Sequence, residues 1–140
     1  LSQIRPHLQT VDQIINPAPV TVRPNILLSN AIRIMKKQRV DSLLVVDREG
    51  KLRGYIDLEI INQQHPWTGK VSDVLVENMY KVKTGTFVRD VIQTILQRGL
   101  KYVPVVDDEN RLKGIITRTN LVDAIYDSIW SDRENGNIAQ

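Results

Sequence analysis

Apolar residues recur along the chain in two spacings, and each spacing occurs twice. Leu28, Ala31, Ile32 and Met35, and later Val88, Val91, Ile92 and Ile95, follow i, i+3, i+4, i+7, which puts each set on one face of a helix. Leu43 to Val46 and Val103 to Val106 are short apolar runs, the pattern of strands buried on both faces. Ahead of the helices, Pro19 to Val22 and Tyr80 to Val82 read as short β pieces. Behind the buried strands come the turn-rich Arg48-Glu49-Gly50 and Asp108-Glu109-Asn110. Return strands follow at Leu52 to Ile56 and Leu112 to Thr117, so a hairpin closes each set. A short helix is predicted after each hairpin. Thr86 is the predicted N-cap of the second amphipathic helix and Gly99 its stop; the first helix lacks both signals. The order is therefore β-α-β-β-α, twice.

The two sets align without a gap at an offset of 60 residues. Val11 falls on Val71, Val22 on Val82, Ile32 on Ile92, Val45-Val46-Asp47 on Val105-Val106-Asp107, Glu49 on Glu109, Leu52 on Leu112, Gly54 on Gly114 and Ile56 on Ile116. Identities clustered in one strand-turn-strand segment at one offset mark an internal duplication. It divides the chain into repeat 1 (residues 11–64), a linker around His65-Pro66-Trp67-Thr68-Gly69 (65–70) and repeat 2 (71–130). Residues 1–10 read as a lead from an upstream domain, and 131–140 as a polar, flexible tail.

Composition narrows the class. A chain of 140 residues with 41% apolar and 25% charged residues is ordinary globular material. At that size roughly 68–70% of the unfolded surface is buried on folding, so no staple is needed. There is no cysteine, which fits a reducing compartment and removes thiol catalysis and Cys-ligated zinc. The longest apolar run, Leu43 to Val46, has strand length and falls far short of the ~20 residues of a membrane helix. A net charge of +3, spread along the chain, does not imply a nucleic-acid surface. Catalysis has no support either. His7 and His65 lie in or beside linkers, Asp41, Asp47, Asp57, Asp107 and Asp108 sit where turns and caps use them, and no Ser-His-Asp order or Gly-rich phosphate loop is present.

One segment carries candidate chemistry. Gly114-Ile115-Ile116-Thr117-Arg118-Thr119-Asn120 delivers a strand end, a hydroxyl and an arginine to the start of a helix, where orphan N–H groups and the helix dipole favour an anion. Arg118 adds a fixed charge and a planar donor fork suited to phosphate. The same positions in repeat 1 read Gly54-Tyr55-Ile56-Asp57-Leu58-Glu59-Ile60, where Asp57 and Glu59 would repel phosphate. Plain helix capping is the alternative role for Thr117 and Asn120. Tyr102, whose repeat mate is Ser42, offers a stacking surface at a strand start. Val20, Val40 and Ile115 offer apolar walls, or are simply core.

With its two β-α-β-β-α units, each with a Val-Val-Asp strand end and a Gly-hydrophobic-Ile return strand, the chain resembles a tandem pair of CBS domains from about Val11 to Ile129. The resemblance implies a mixed α/β (α+β) fold in which two repeats pack with pseudo-two-fold symmetry. It also implies clefts that bind adenosine ligands, and pairing into homodimers. The family motif is Gly-hydrophobic-hydrophobic-Thr/Ser-x-x-Asp/Asn; by likeness Thr117 faces phosphate and Asn120 holds ribose hydroxyls. The match in repeat 2 is nearly complete, whereas Ile60 in repeat 1 cannot hold a ribose.

The Arg118-Thr119-Asn120-Leu121-Val122 run, the Leu-Ser-Gln-Ile-Arg-Pro lead and the degenerate first repeat are similar to the CBS pair on the ATPase subunit of osmolyte ABC importers for glycine betaine, carnitine or choline. That likeness implies cyclic di-AMP bound across a homodimer interface by Val20, Val40, Ser42, Tyr102, Ile115, Thr117, Arg118 and Asn120. It further implies a transporter permease as indirect partner, a cytoplasmic site at the inner face of the membrane, no metal and no catalytic residue. Rival readings are an AMP or ATP sensor, a dimerisation module without ligand, and an ionic-strength sensor using Lys36-Lys37, Arg39, Lys81 and Lys83. Single surface charges act weakly and are screened within ~8–10 Å, so the last would need many acting together.

Overall fold

The computed structural model describes residues 9–17 and 20–134, with side chains to residue 130. Its strands are β1 (Thr21–Val22), β2 (Ser42–Val46), β3 (Leu52–Asp57), β4 (Val82–Lys83), β5 (Tyr102–Val106) and β6 (Leu112–Thr117). The helices are α1 (Leu28–Gln38), α2 (Leu58–Asn62), α3 (Val71–Val74), α4 (Val88–Arg98) and α5 (Arg118–Glu134), with a 3-10 turn at Val11–Gln13. Two three-stranded sheets result, β1-β2-β3 and β4-β5-β6. The doubled order expected from the periodicity and the mixed α/β class implied by the resemblance are both present.

One compact unit holds the described residues to Tyr80 from 20 onward, together with Glu109–Leu112. In it β1 runs parallel to β2, pairing Thr21 with Leu44 and Val22 with Val45, and α1 supplies the crossover that parallel strands need. Strands β2 and β3 form the antiparallel hairpin, from Ser42 opposite Asp57 to Val46 opposite Leu52. The stripe on α1 buries Leu28, Ala31 and Met35 against Leu43, Val45, Ile56, Ile61 and Val71. Trp67 closes this core: its ring packs on the cluster and its Nε1 donates to the Ile61 carbonyl at 2.7 Å. Helix α1 ends on Arg39 in the left-handed region, φ 57° and ψ 47°, a conformation more comfortable for glycine.

The other unit holds the described residues up to 17, Lys81–Asp108, and those from Lys113 on. Here β4 pairs Val82 with Val105 and Lys83 with Val106. It starts one residue later than its repeat mate because Pro104, equivalent to Leu44, has no N–H to give. Helix α4 buries Val88, Val91 and Ile95 and stops at Gly99, φ 63°. Strands β5 and β6 are neighbours joined by a five-residue connection, too short for a parallel crossover, and so form the second hairpin.

Some expectations change. Thr86 does not cap α4: the N-cap is Phe87, and the Thr86 hydroxyl donates to the Lys83 carbonyl at 2.7 Å, closing the preceding turn instead. The helices after the hairpins are unequal. Helix α2 spans five residues and gives way to the turn ahead of Pro66, whereas α5 spans 17 and reaches Glu134. Residues 131–134, expected to fray, are thus helical; Pro19, His7 and residues 135–140 lie outside the described residues. Among the described residues no helix is long and apolar enough to cross a membrane.

Each compact unit also takes its first helical turn from an unexpected place. Residues 10–16, at the start of repeat 1, belong to the unit of repeat 2: Val11 is fully buried there, its N–H donates to the Thr86 carbonyl at 2.8 Å, and Asp12 Oδ1 accepts from the Gly85 N–H at 2.7 Å. Residues 71–76, at the start of repeat 2, belong to the unit of repeat 1, where Val71 joins the core and its N–H donates to the Ile26 carbonyl.

Candidate functional site

The candidate site begins where β6 becomes α5. Thr117 ends the strand and Arg118 opens the helix. The Thr117 hydroxyl oxygen accepts from the Asn120 N–H at 3.2 Å, and Asn120 Oδ1 accepts in return from the Thr117 N–H at 2.8 Å and from the Thr117 hydroxyl at 3.0 Å. This is a reciprocal capping box with Asn in the place of Glu or Gln. Both side chains are half-buried. The expected capping role of Thr117 and Asn120 is therefore filled. A phosphate drawing on the Thr117 hydroxyl must compete with Asn120 for it.

Arg118 is exposed, but it is not loose: its Nε donates to the Leu100 carbonyl at 3.2 Å. Leu100 follows the left-handed Gly99, and its own N–H closes on the Ile95 carbonyl at 3.1 Å. Capping of α4 thus presents a carbonyl that anchors the inner edge of the guanidinium and leaves its two outer nitrogens for a planar anion. Nothing in the side-chain pattern announced Leu100, because it acts through its backbone.

Tyr102 opens β5, the strand beside β6, and is half-buried. Ile115 lies on β6 two residues before Thr117, also half-buried, and its backbone exchanges two hydrogen bonds with Asn16, at 2.8 and 3.1 Å. This pairing explains the motif glycine. A methyl on Gly114 would sit 2.6 Å from the Asn16 carbonyl oxygen and 3.1 Å from the Ile15 side chain. Tyr102, Ile115, Thr117, Arg118 and Asn120 thus share one compact unit, and Val20, Val40 and Ser42 belong to the other. In that unit Val20 packs against the core, Val40 is 36% exposed just after α1, and Ser42 opens β2 half-buried.

Repeat 1 closes the equivalent corner differently. Asp57 Oδ1 accepts from the Ile60 N–H at 2.9 Å, capping α2 with a carboxylate. Ile60 returns nothing, and Leu58 stands where Arg118 does in repeat 2. An anion there would meet the Asp57 carboxylate and find no counterpart of Arg118. Asp47, whose titration is displaced, belongs to the β2–β3 turn: the Lys51 N–H at 2.9 Å holds its carboxyl below the usual range, partial burial opposes this, and the Glu49 N–H and Arg53 add to the lowering. No cluster of metal-ligating residues occurs among the described residues.

The CBS domain model matches residues 11–61 and 71–127. The chain is 50% identical over 135 residues to the glycine betaine/carnitine/choline transport ATP-binding protein OpuCA of Bacillus subtilis (strain 168), covering 96% of this chain but 36% of that one. It thus spans about a third of the relative's length. Among solved structures, Staphylococcus aureus OpuCA superposes with a TM-score of 0.73 at 38% identity, covering 83% of this chain and 98% of the other. CBSX2 in complex with AMP superposes with a TM-score of 0.74 at 25% identity, covering 84% and 96%.

Proposed function

The chain belongs to the CBS domain family, as a tandem pair homologous to part of osmolyte-transporter ATPase subunits, and from that membership we propose that it is a regulatory nucleotide-sensing module. Its ligand is cyclic di-AMP, bound at a homodimer interface. Its output is control of an ABC importer for quaternary amines, through an ATPase domain and that domain's permease at the cytoplasmic face of the membrane. The observation that carries the reading is the Thr117–Asn120 corner beside a tethered Arg118, present in repeat 2 and replaced by a carboxylate cap in repeat 1. The AMP complex of a relative supports the adenosine class.

In this reading Arg118 and the first turn of α5 take a phosphate, the Tyr102 ring takes adenine, and Ile115 walls the base. The dimer draws support from α5, where Val122, Ile125, Tyr126 and Ile129 are 48–63% exposed at i, i+3, i+4, i+7 spacing. An apolar stripe of that kind on a folded helix marks an interaction face. A two-fold ligand suits an isologous dimer, which repeats one patch across its axis. Binding across two chains stabilises one dimer geometry, and the attached ATPase responds by population shift.

Isothermal titration of the chain with cyclic di-AMP, ATP and AMP tests the reading. Saturation at one cyclic di-AMP per two chains is expected, with Arg118→Ala and Tyr102→Ala each weakening binding by about 1–3 kcal/mol. Heat from AMP or ATP alone moves the assignment to an adenylate sensor, the reading that the AMP-bound relative favours. No heat from any ligand leaves a pairing module, and a response to salt without nucleotide leaves an ionic-strength sensor.

A further inference from the structure

The orientation of the Asn120 amide fixes what that residue can offer a ligand. Its side-chain oxygen lies 2.8 Å from the Thr117 backbone nitrogen, an obligate donor, and the atom facing it must accept. The same oxygen lies 3.0 Å from the Thr117 hydroxyl, whose own acceptor side is occupied by the Asn120 N–H at 3.2 Å. Exchanging the amide's oxygen and nitrogen would set two donors against each other, so the network admits one orientation. Asn120 therefore spends its acceptor inside the helix cap and turns its NH2 group, two donors and no acceptor, away from it.

We propose, resting on the adenosine-nucleotide reading above, that Asn120 is a specificity-determining residue that reads ligand acceptors only. The site on this reading takes adenosine ligands whether the ribose 3′-oxygen carries a proton or an ester, and so admits the class of 3′,5′-phosphodiester-linked nucleotides. A carboxylate in this position has a second oxygen after capping Thr117. It accepts from a free 3′-hydroxyl and is left facing a lone pair when that oxygen is esterified. The Asn120 amide has no such preference: it donates equally well to a hydroxyl oxygen, an ester oxygen or a phosphate oxygen, and it adds no charge to repel the phosphodiester. Repeat 1 lacks the device altogether, because Ile60 occupies the equivalent position.

The test compares the 140-residue chain with its Asn120→Asp variant by isothermal titration against cyclic di-AMP, 5′-AMP and 3′-O-methyl-5′-AMP. Aspartate keeps both cap bonds from Thr117, and an unchanged thermal melt confirms that the variant folds. The two monomers carry equal charge, so their ratio cancels the cost of the added carboxylate. Wild-type protein is expected to bind 5′-AMP and its 3′-O-methyl derivative within about threefold of each other, and the variant to prefer 5′-AMP by about tenfold and to lose about tenfold for cyclic di-AMP. A wild-type protein that prefers 5′-AMP over the methylated ligand by about tenfold overturns the proposal while leaving the nucleotide reading intact. Where the monomers lie below detection, the cyclic di-AMP arm decides, and affinity retained within about threefold in the variant overturns the proposal. Absence of heat from every adenosine ligand in the wild-type chain overturns the nucleotide reading itself, and the proposal with it.

Discussion

Alanine at Gly54, Gly114 and Gly99 separates two costs that a glycine can hide. At Gly99, φ is +63° and an added methyl meets nothing within 4 Å, so the substitution carries only left-handed strain, about 1 kcal/mol. At Gly114 the methyl would lie 2.6 Å from the Asn16 carbonyl oxygen, well inside the ~3.5 Å at which non-bonded heavy atoms settle. Relief requires segment 10–16 to move off the β6 edge, which breaks the Asn16–Ile115 pair of hydrogen bonds at 2.8 and 3.1 Å. At about 1 kcal/mol each, the loss is about 2 kcal/mol. Gly54 combines both costs: its φ is +148°, and a methyl there overlaps the Val76 carbonyl oxygen, threatening the Tyr55–Val76 pair at 2.9 and 3.0 Å. The sum is about 3 kcal/mol. Urea unfolding followed by far-UV circular dichroism should therefore rank the variants Gly54→Ala, Gly114→Ala, Gly99→Ala in falling cost. Hydrogen exchange should quicken at the Ile115 amide in the second variant and not in the third. If Gly54→Ala and Gly114→Ala cost no more than Gly99→Ala, the two edge segments do not hold β3 and β6 as described.

Three further outcomes follow from single residues. Arg39→Gly relieves the left-handed C-cap of α1 and should raise stability by about 0.5–1 kcal/mol in the same urea assay, since the strain removed exceeds the entropy that glycine adds to the unfolded chain. Asp47 should titrate below the usual aspartate range in side-chain NMR, held there first by the Lys51 N–H. Because its folded pKa is depressed, its support of the turn is present above the unfolded pKa and is lost as pH falls through the folded value; Asp47→Asn should remove that part of the acid dependence. Trp67→Phe deletes the Nε1–Ile61 bond while keeping a ring in the core, and should cost about 1–3 kcal/mol in thermal unfolding because a carbonyl loses its partner.

What periodicity could reveal was set by contrast between faces. The stripes of α1 and α4 were legible because each puts buried residues on one side and polar residues on the other. Helix α5 gave no such contrast: Leu121 and Ala124 are buried while Val122, Ile125, Tyr126 and Ile129 are apolar and exposed, so apolar residues face two ways and the helix length was underestimated. The later start of β4 was written in Pro104, yet it acts through a missing N–H on the neighbouring strand, which needs the register to be known. At the site, the Thr117–Asn120 corner was readable as a motif with a capping role. The Leu100 carbonyl beside Arg118 was not, since any residue there supplies the same oxygen.

The exchange of edge segments shows why a gapless repeat can conceal its own packing. Under the offset of 60, Val11 and Val71 are equivalent, as are Asn16 and Val76, Gly54 and Gly114, Tyr55 and Ile115. Each repeat therefore contains one segment and one receiving edge, and self-similarity specifies that segment and edge match without specifying whose edge is used. The bridges decide it: Asn16 pairs with Ile115, and Tyr55 with Val76. Both pairings are compatible with the same Val at the buried position and the same Gly under the backbone, so local sequence is indifferent between the two choices. The segment that enters the pair from the N-terminal side is hydrogen-bonded to the strand that ends in Thr117, at Ile115, two residues before that threonine. Any movement of that corner on ligand binding acts first on residues 10–16, the part of the described chain that leads toward the N-terminus, and the Gly114→Ala variant interrupts that coupling without touching a residue of the motif's polar set.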